Sequence, residues 1–117
     1  MDKENVILVK SYQFGLRIVK LHLHLSKGLK QFEISSQVLR SGTSIGANVE
    51  EATGGSSRKD FINKMNIAYK EARETKYWLR LLRDSEIIEI SLAESLINDC
   101  EELLKILFSI INTSRKT

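Results

Sequence analysis

The chain of 117 residues contains no proline, one cysteine, one tryptophan and two histidines. Without proline, nothing in the sequence forbids long uninterrupted helices. The lone Cys100 excludes an internal disulfide framework. No apolar run reaches the roughly 18 residues that a membrane-spanning helix needs, so no membrane partner is expected. The first residues, MDKENVILVKSYQFG, interrupt their apolar positions with lysine, serine and glutamine, unlike a secretory signal. A cytoplasmic, bacterial-type protein is the resulting expectation. Charged residues are spread along the chain, which argues against low complexity. The length suits one domain, residues 1–117, with one core.

The net charge is a modest +3 but is unevenly placed. Residues 1–30 hold six Lys/Arg and two Asp/Glu; residues 31–57 hold one and three. Residues 58–84 hold eight and four, and residues 85–117 hold three and six. The chain therefore alternates basic, acidic, basic, acidic.

Hydrophobic periodicity predicts four helices over about residues 4–27, 33–53, 58–84 and 91–113. In the first, Ile7, Phe14, Ile18, Leu21 and Leu25 line one face. A second apolar stripe, Val9, Tyr12, Leu16, Val19 and Leu23, lies on the opposite side. A surface helix of a small monomer needs only one such side, so the second stripe is either a broad core contact or an oligomer interface. In the third helix Phe61, Met65, Ala68, Ala72, Thr75, Leu79 and Leu82 keep a strict 4-3-4-3 spacing, the seam of a shallow-angle bundle. Ser56 or Ser57 is its expected N-cap. Trp78 and Leu81 lie off that seam and extend the candidate oligomer surface. Leu92, Leu96, Leu103, Ile106 and Ile110 form the stripe of the fourth helix, and Cys100 reads as a small packing residue.

The stretch RSGTSIGANVEEATGG, residues 40–55, carries four of the six glycines. A phosphate-binding loop would need a lysine after its last glycine and a strand before its first, and has neither. Ile34, Val38, Ser41, Ile45, Asn48 and Ala52 instead continue a seam spaced like that of the third helix. The stretch therefore reads as helix, with Gly54–Gly55 as its stop. Gly42 and Gly46 then mark a close approach, with Trp78 or Tyr77 as the expected filler. Ser41, Ile45, Asn48 and Glu51 are taken as structural residues, Asn48 as a polar seam residue able to fix register.

Little here reads as catalytic. His22 and His24 are two apart on a helix and point to different faces, a poor metal pair. No Glu-x-x-His occurs, so the di-iron bundle signature is missing. Glu50, Glu51, Glu71 and Glu74 read as ordinary salt-bridge partners. Neither serine nor cysteine has a credible base. The expectation is a non-enzyme without cofactor or metal.

Residues 39–82, LRSGTSIGANVEEATGGSSRKDFINKMNIAYKEARETKYWLRLL, closely resemble the small proteins encoded in intervening sequences of bacterial 23S rRNA genes. The pieces that carry the likeness are Arg40-Ser41, Ser44-Ile45, Ala47-Asn48, Glu50-Glu51, Phe61, Ala68, Glu71-Ala72 and Glu74-Thr75. FGLRIVKL, residues 14–21, and the Glu- and Leu-rich last helix also fit. The resemblance implies an all-α, antiparallel up-down-up-down four-helix bundle. It also implies a homo-oligomer, a pentameric ring by analogy. A similar bundle, the accessory variability determinant of diversity-generating retroelements, works beside a reverse transcriptase and binds nucleic acid.

Two functional readings follow from the residues. In the first, the oligomer binds RNA or DNA, RNA favoured, through the outer stripe of the third helix: Asn66, Tyr69, Arg73, Lys76, Arg80 and Arg83. Cations there meet phosphates and a tyrosine stacks on a base. Pairing of the basic helices with their acidic neighbours opposes this, because it cancels the field a polyanion meets. In the second, the protein is a self-assembling scaffold for a partner protein, built on the surplus apolar surface of Tyr12, Leu16, Val19, Leu23, Trp78 and Leu81.

Overall fold

A computed structural model describes residues 2–55 and 57–116. Four helices form: α1 (Lys3–Leu23), α2 (Phe32–Thr53), α3 (Arg58–Asp84) and α4 (Ile90–Lys116). They make an antiparallel bundle 46 Å long and 21 Å across. α1 packs on α2 and α4, and α3 packs on the same two. α1 and α3 therefore stand at diagonal corners, as an up-down-up-down chain requires.

Local chemistry starts and stops each helix. The Asp2 carboxylate accepts from the Asn5 amide at 2.9 Å and caps α1; the Ser57 hydroxyl accepts from the Asp60 amide at 3.0 Å and caps α3. Ser56, the other candidate cap, lies outside the described residues. α1 runs on into one π-helical turn, His24–Gly28. There the Ser26 hydroxyl donates to the His22 carbonyl at 2.8 Å and competes for the ladder acceptor.

Two connections turn on left-handed residues that are not glycine: Lys30 (φ 58°) and Glu86 (φ 63°). After α3 the Glu86 amide donates to the Arg83 carbonyl and the Ile87 amide to the Leu82 carbonyl, both at 3.1 Å. That pair of bonds is a Schellman closure with Glu86 in the place glycine usually takes. The helix stop at Gly54 works differently. Its φ is −94°, so no left-handed freedom is used there. Gly55 supplies space instead: a Cβ at this position would stand 2.8 Å from Asp60 Oδ2 and 3.1 Å from the Ala52 carbonyl oxygen.

The core follows the 4-3 seams. Ile7, Phe14, Ile18 and Leu21 of α1 and Leu25 of its π-helical turn are buried, with Ser11 filling the gap in the series. Met65, Ala68, Ala72, Thr75, Leu79 and Leu82 of α3 are buried, and Phe61 is half-buried at the end. In α2 the buried positions are Ser35, Val38, Ser41, Gly42, Ile45, Val49 and Ala52. Val49 therefore takes the place that a fixed seam assigns to Asn48. Asn48 is half-buried, and its amide donates to the Ser44 carbonyl one turn back at 2.8 Å. A fully buried side-chain contact ties α2 to α3 instead: Ser41 with Thr75, 2.9 Å apart. The Thr75 hydroxyl also lies 2.7 Å from the Glu71 carbonyl, which can only accept. Thr75 therefore donates to Glu71 and accepts from Ser41.

The filler beside the glycines of α2 comes from α1, not from Trp78 or Tyr77. A Cβ on Gly42 would stand 2.7 Å from Ile18 Cγ2, and one on Gly46 would stand 3.3 Å from the Ser11 carbonyl oxygen. Small residues let the backbones of α1 and α2 approach. In α4 the buried set is Ala93, Leu96, Ile97, Cys100, Leu103, Leu107, Ile110 and Ile111. Leu92 is exposed and Ile106 is half-buried, so the face is rotated from the expected one. Cys100 holds the place between Leu96 and Leu103, where its thiol donates to the Ala72 carbonyl at 3.1 Å.

Candidate nucleic-acid interface

The outer side of α3 departs from its seam by about a quarter turn. Tyr69, Arg73, Lys76 and Arg80 recur there at spacings of three and four, on the flank nearest α4. Together with Lys70, Glu74, Tyr77 and, from α4, Leu104, they line one shallow groove. Four of the six residues of the expected stripe are thus brought together, whereas Asn66 lines a separate groove with Lys59, Asp60 and Asn63. Arg83 is not among them: its guanidinium donates to the neighbouring Asp84 carboxylate at 2.8 Å. That hydrogen bond raises the Arg83 pKa and lowers that of Asp84, and Arg80 adds to the lowering at Asp84 by charge alone.

Much of the remaining surface charge is paired across helices. Lys10 and Arg17 of α1 reach Glu102 and Asp99 of α4, at 3.2 and 2.6 Å. Lys76 of α3 reaches Glu101 of α4 at 3.2 Å. Arg40 of α2 bridges Glu71 and Glu74 of α3. Glu50 and Glu51 of the expected acidic quartet stand apart from that bridge. These pairs are solvent-facing, so each contributes little to stability. Their effect is to subtract cations from the outer field. Among the described residues, Lys70, Arg73 and Arg80 have no carboxylate within 4.0 Å, so the groove keeps three uncompensated charges. Glu74, the one acid on its wall, already accepts from Arg40 and, at 2.9 Å, from the Trp78 indole.

Lys70 and Tyr77 are groove residues that stripe counting missed. They sit at i and i+7, one position beside the stripe, and Tyr77 belongs to this groove rather than to the glycines of α2. Tyr77 is 51% exposed and its ring centroid lies 5.3 Å from that of Trp78. Tyr69 is half-buried, 6.4 Å from the Phe108 ring.

The expected oligomer residues fall elsewhere. Tyr12, Leu16, Val19 and Leu23 are all exposed on α1, at 64, 49, 40 and 44%, and Val9 continues the stripe. Beside it an apolar groove runs between α1 and α2, lined by Tyr12, Gly15, Leu16, Val19, Gly46 and Ala47. On α3 Leu81 is exposed, whereas Trp78 is half-buried and anchored to Glu74. Trp78 stands beside Tyr77 and Glu74 at the rim of the basic groove, and Leu81 follows Tyr77 by one turn. Of the structural residues, Ser41 and Ile45 are buried and Glu51 is exposed. Cys100 offers no nucleophile: burial pushes its thiol up to about 12.

A family model described as 23S rRNA-intervening sequence protein matches residues 3–109. The chain belongs to that family. The match to this family model includes the basic groove, the glycine-bearing α2 and the exposed stripe of α1. A solved structure of a protein of unknown function from the S23 ribosomal protein family of Bacteroides thetaiotaomicron VPI-5482 is similar to the chain. The two share 53% identity and a TM-score of 0.93, over 95% of this chain and 99% of that one. No curated protein matches. No helix among the described residues is long and apolar enough to cross a membrane.

Proposed function

We propose that this member of the 23S rRNA-intervening sequence family is a non-enzymatic, self-assembling bundle that binds nucleic acid, RNA before DNA, in the cytoplasm. The observation that carries the reading is the α3 groove, where three unpaired cations and two tyrosines share one flank. Cations of this kind bind phosphates by releasing condensed counterions, which gives affinity without sequence choice.

Self-assembly rests on where the apolar surface lies. The α1 stripe from Val9 to Leu23 covers about 21 Å of helix, and Leu81 and Trp78 form a second patch on the diagonal corner. Two different patches on opposite corners suit a head-to-tail contact, in which α1 of one copy meets α3 of the next. Such contacts close into rings when the rotation permits. A pentamer is the subunit number that the resemblance implies. A ring would repeat the basic groove at each subunit and raise avidity without a new contact.

The test is an anisotropy titration of a structured rRNA fragment at several salt concentrations, with the oligomeric state fixed in the same buffer. Affinity falling linearly in a log–log salt plot supports the reading. Charge reversal of Arg73, Lys76, Arg80 and Arg83 to glutamate is expected to abolish binding. Retained binding in that variant moves the interface off α3. No binding at low salt by an intact oligomer favours the second reading, a scaffold for a partner protein, which the exposed α1 stripe supports.

A further inference from the structure

The α3 groove holds more than charge, and the surplus bears on which form of nucleic acid it takes. Tyr69 and Tyr77 are eight residues apart, about 12 Å along the helix axis. Lys70, Arg73 and Arg80 lie between and beside them. Leu104 adds an apolar patch to the wall. A duplex presents phosphates and sugars to such a surface and keeps the faces of its bases inside its own stack. The deep, narrow major groove of A-form RNA also excludes side chains. On a duplex the two tyrosines and Leu104 would have nothing to do.

An unpaired strand uses all of them. Its bases can splay out and stack on aromatic rings while its backbone follows the cations. We propose that this groove binds an unpaired nucleic-acid strand, with bases stacked on Tyr77 and Tyr69 and phosphates held by Lys70, Arg73 and Arg80. At 3.4 Å per stacked nucleotide, 12 Å accommodates about three nucleotides, or fewer if they are splayed. The site is set before the ligand arrives. Phe108 backs the Tyr69 ring at 6.4 Å, and Trp78 stands beside Tyr77. Glu74, the group most able to repel a phosphate, is held by Arg40 and the Trp78 indole. This inference rests on the nucleic-acid reading and specifies its ligand.

The experiment uses the full chain and two probes. One is a fluorescein-labelled pyrimidine RNA of about 12 nucleotides, within the site sizes of single-strand binders. The other is the same strand annealed to its complement. The single strand is expected to bind at least about fivefold tighter, with a log–log salt slope near −2 from about three phosphate contacts. Tyr77→Ala is expected to weaken single-strand binding by about 5- to 150-fold, the range for one stacked base, and to leave duplex binding unchanged. Tyr77→Phe keeps the ring and is expected to keep the preference. Trp78 is the only tryptophan in the chain, so its emission reports on Tyr77 without any substitution. It is expected to change on single-strand binding and to stay constant with duplex.

Equal affinity for the two probes, with Tyr77→Ala neutral and Trp78 emission unmoved, overturns the inference and leaves a phosphate-only interface in place. Failure of both probes to bind at low salt removes the nucleic-acid reading itself, and this inference with it.

Discussion

Replacing Gly42 by alanine sets two effects of known size against each other. In an isolated helix the change is favourable by roughly 1 kcal/mol, because glycine loses more backbone freedom on folding. In this bundle the added Cβ would stand 2.7, 2.8 and 3.2 Å from Cγ2, Cγ1 and Cβ of Ile18. Carbon atoms at contact prefer about 3.5–4.0 Å, so the overlap approaches 1 Å. Ile18 cannot swing clear: it is fully buried, and a β-branched side chain in a helix has one strongly preferred rotamer. The atoms in the way are also its innermost ones. Relief must come from pushing α1 and α2 apart, an overpacking cost of roughly 1–3 kcal/mol. The net expectation is a loss of up to about 2 kcal/mol, or up to about 8 °C in Tm for a chain of this size. Gly15, also helical, has nothing within 4 Å of its would-be Cβ, so Gly15→Ala should raise stability by about 0.5–1 kcal/mol. Thermal and urea unfolding at one protein concentration measure both. A cycle adding Ile18→Ala isolates the contact, since truncating Ile18 should cost less when residue 42 is already alanine. A Gly42→Ala protein stabilised as much as Gly15→Ala, or a cycle with Ile18→Ala that is strictly additive, would refute the close-approach account.

Four further outcomes are expected. Glu86→Gly relieves a left-handed residue in an intact Schellman closure and should add about 0.5–1 kcal/mol in urea unfolding. Thr75→Val leaves the buried Ser41 hydroxyl without its acceptor and should cost about 1–3 kcal/mol. Ser41→Ala leaves Thr75 bonded to the Glu71 carbonyl and should cost only about 0.5–1.5. The folded Cys100 thiol is raised from 9.0 to about 12, so the stability it contributes is complete below pH 9 and is lost as pH climbs towards 12. The stability gap between the parent and Cys100→Ala should therefore shrink across that window in urea titrations, with a limiting slope of about 1.4 kcal/mol per pH unit. Leu16→Glu with Val19→Glu should dissociate the proposed homo-oligomer in sedimentation velocity while preserving helical circular dichroism. A double variant of unchanged mass in solution would place the interface elsewhere.

Four helices and their seams could be read directly, because 4-3 spacing of apolar residues has few structural solutions. The glycine-bearing stretch was legible as helix for the same reason: a loop has no cause to keep register. What filled the space beside it was not legible, since register on one helix does not say which partner faces it, and Ile18 met Gly42. Asn48 and Val49 illustrate a second limit. A fixed seam drifts against 3.6 residues per turn, so over several turns the buried position moves by one residue. The same drift rotated the buried face of α4 towards Ala93 and Ile97. Lys30 and Glu86 gave no sign of their left-handed backbones, because residue type favours glycine there. On the candidate interface the stripe through Tyr69, Arg73, Lys76 and Arg80 was visible from spacing, as was the exposed apolar stripe of α1. The partners that neutralise Lys76 and Arg83 were not, and neither was the place of Lys70 and Tyr77 in the groove. Those depend on which neighbouring helix lies beside each flank.

Gly46 faces two ways. On its inner side a Cβ would press on the Ser11 backbone, and on its outer side the residue floors the apolar groove between α1 and α2. Bundle geometry and outer relief therefore draw on the same few cubic ångströms. A larger residue there would spread the helix pair and raise the floor of the groove in one step. Divergence that reshapes this groove, while keeping the bundle itself, has its freedom at Tyr12, Leu16 and Val19, where an exposed side chain can change without moving a backbone.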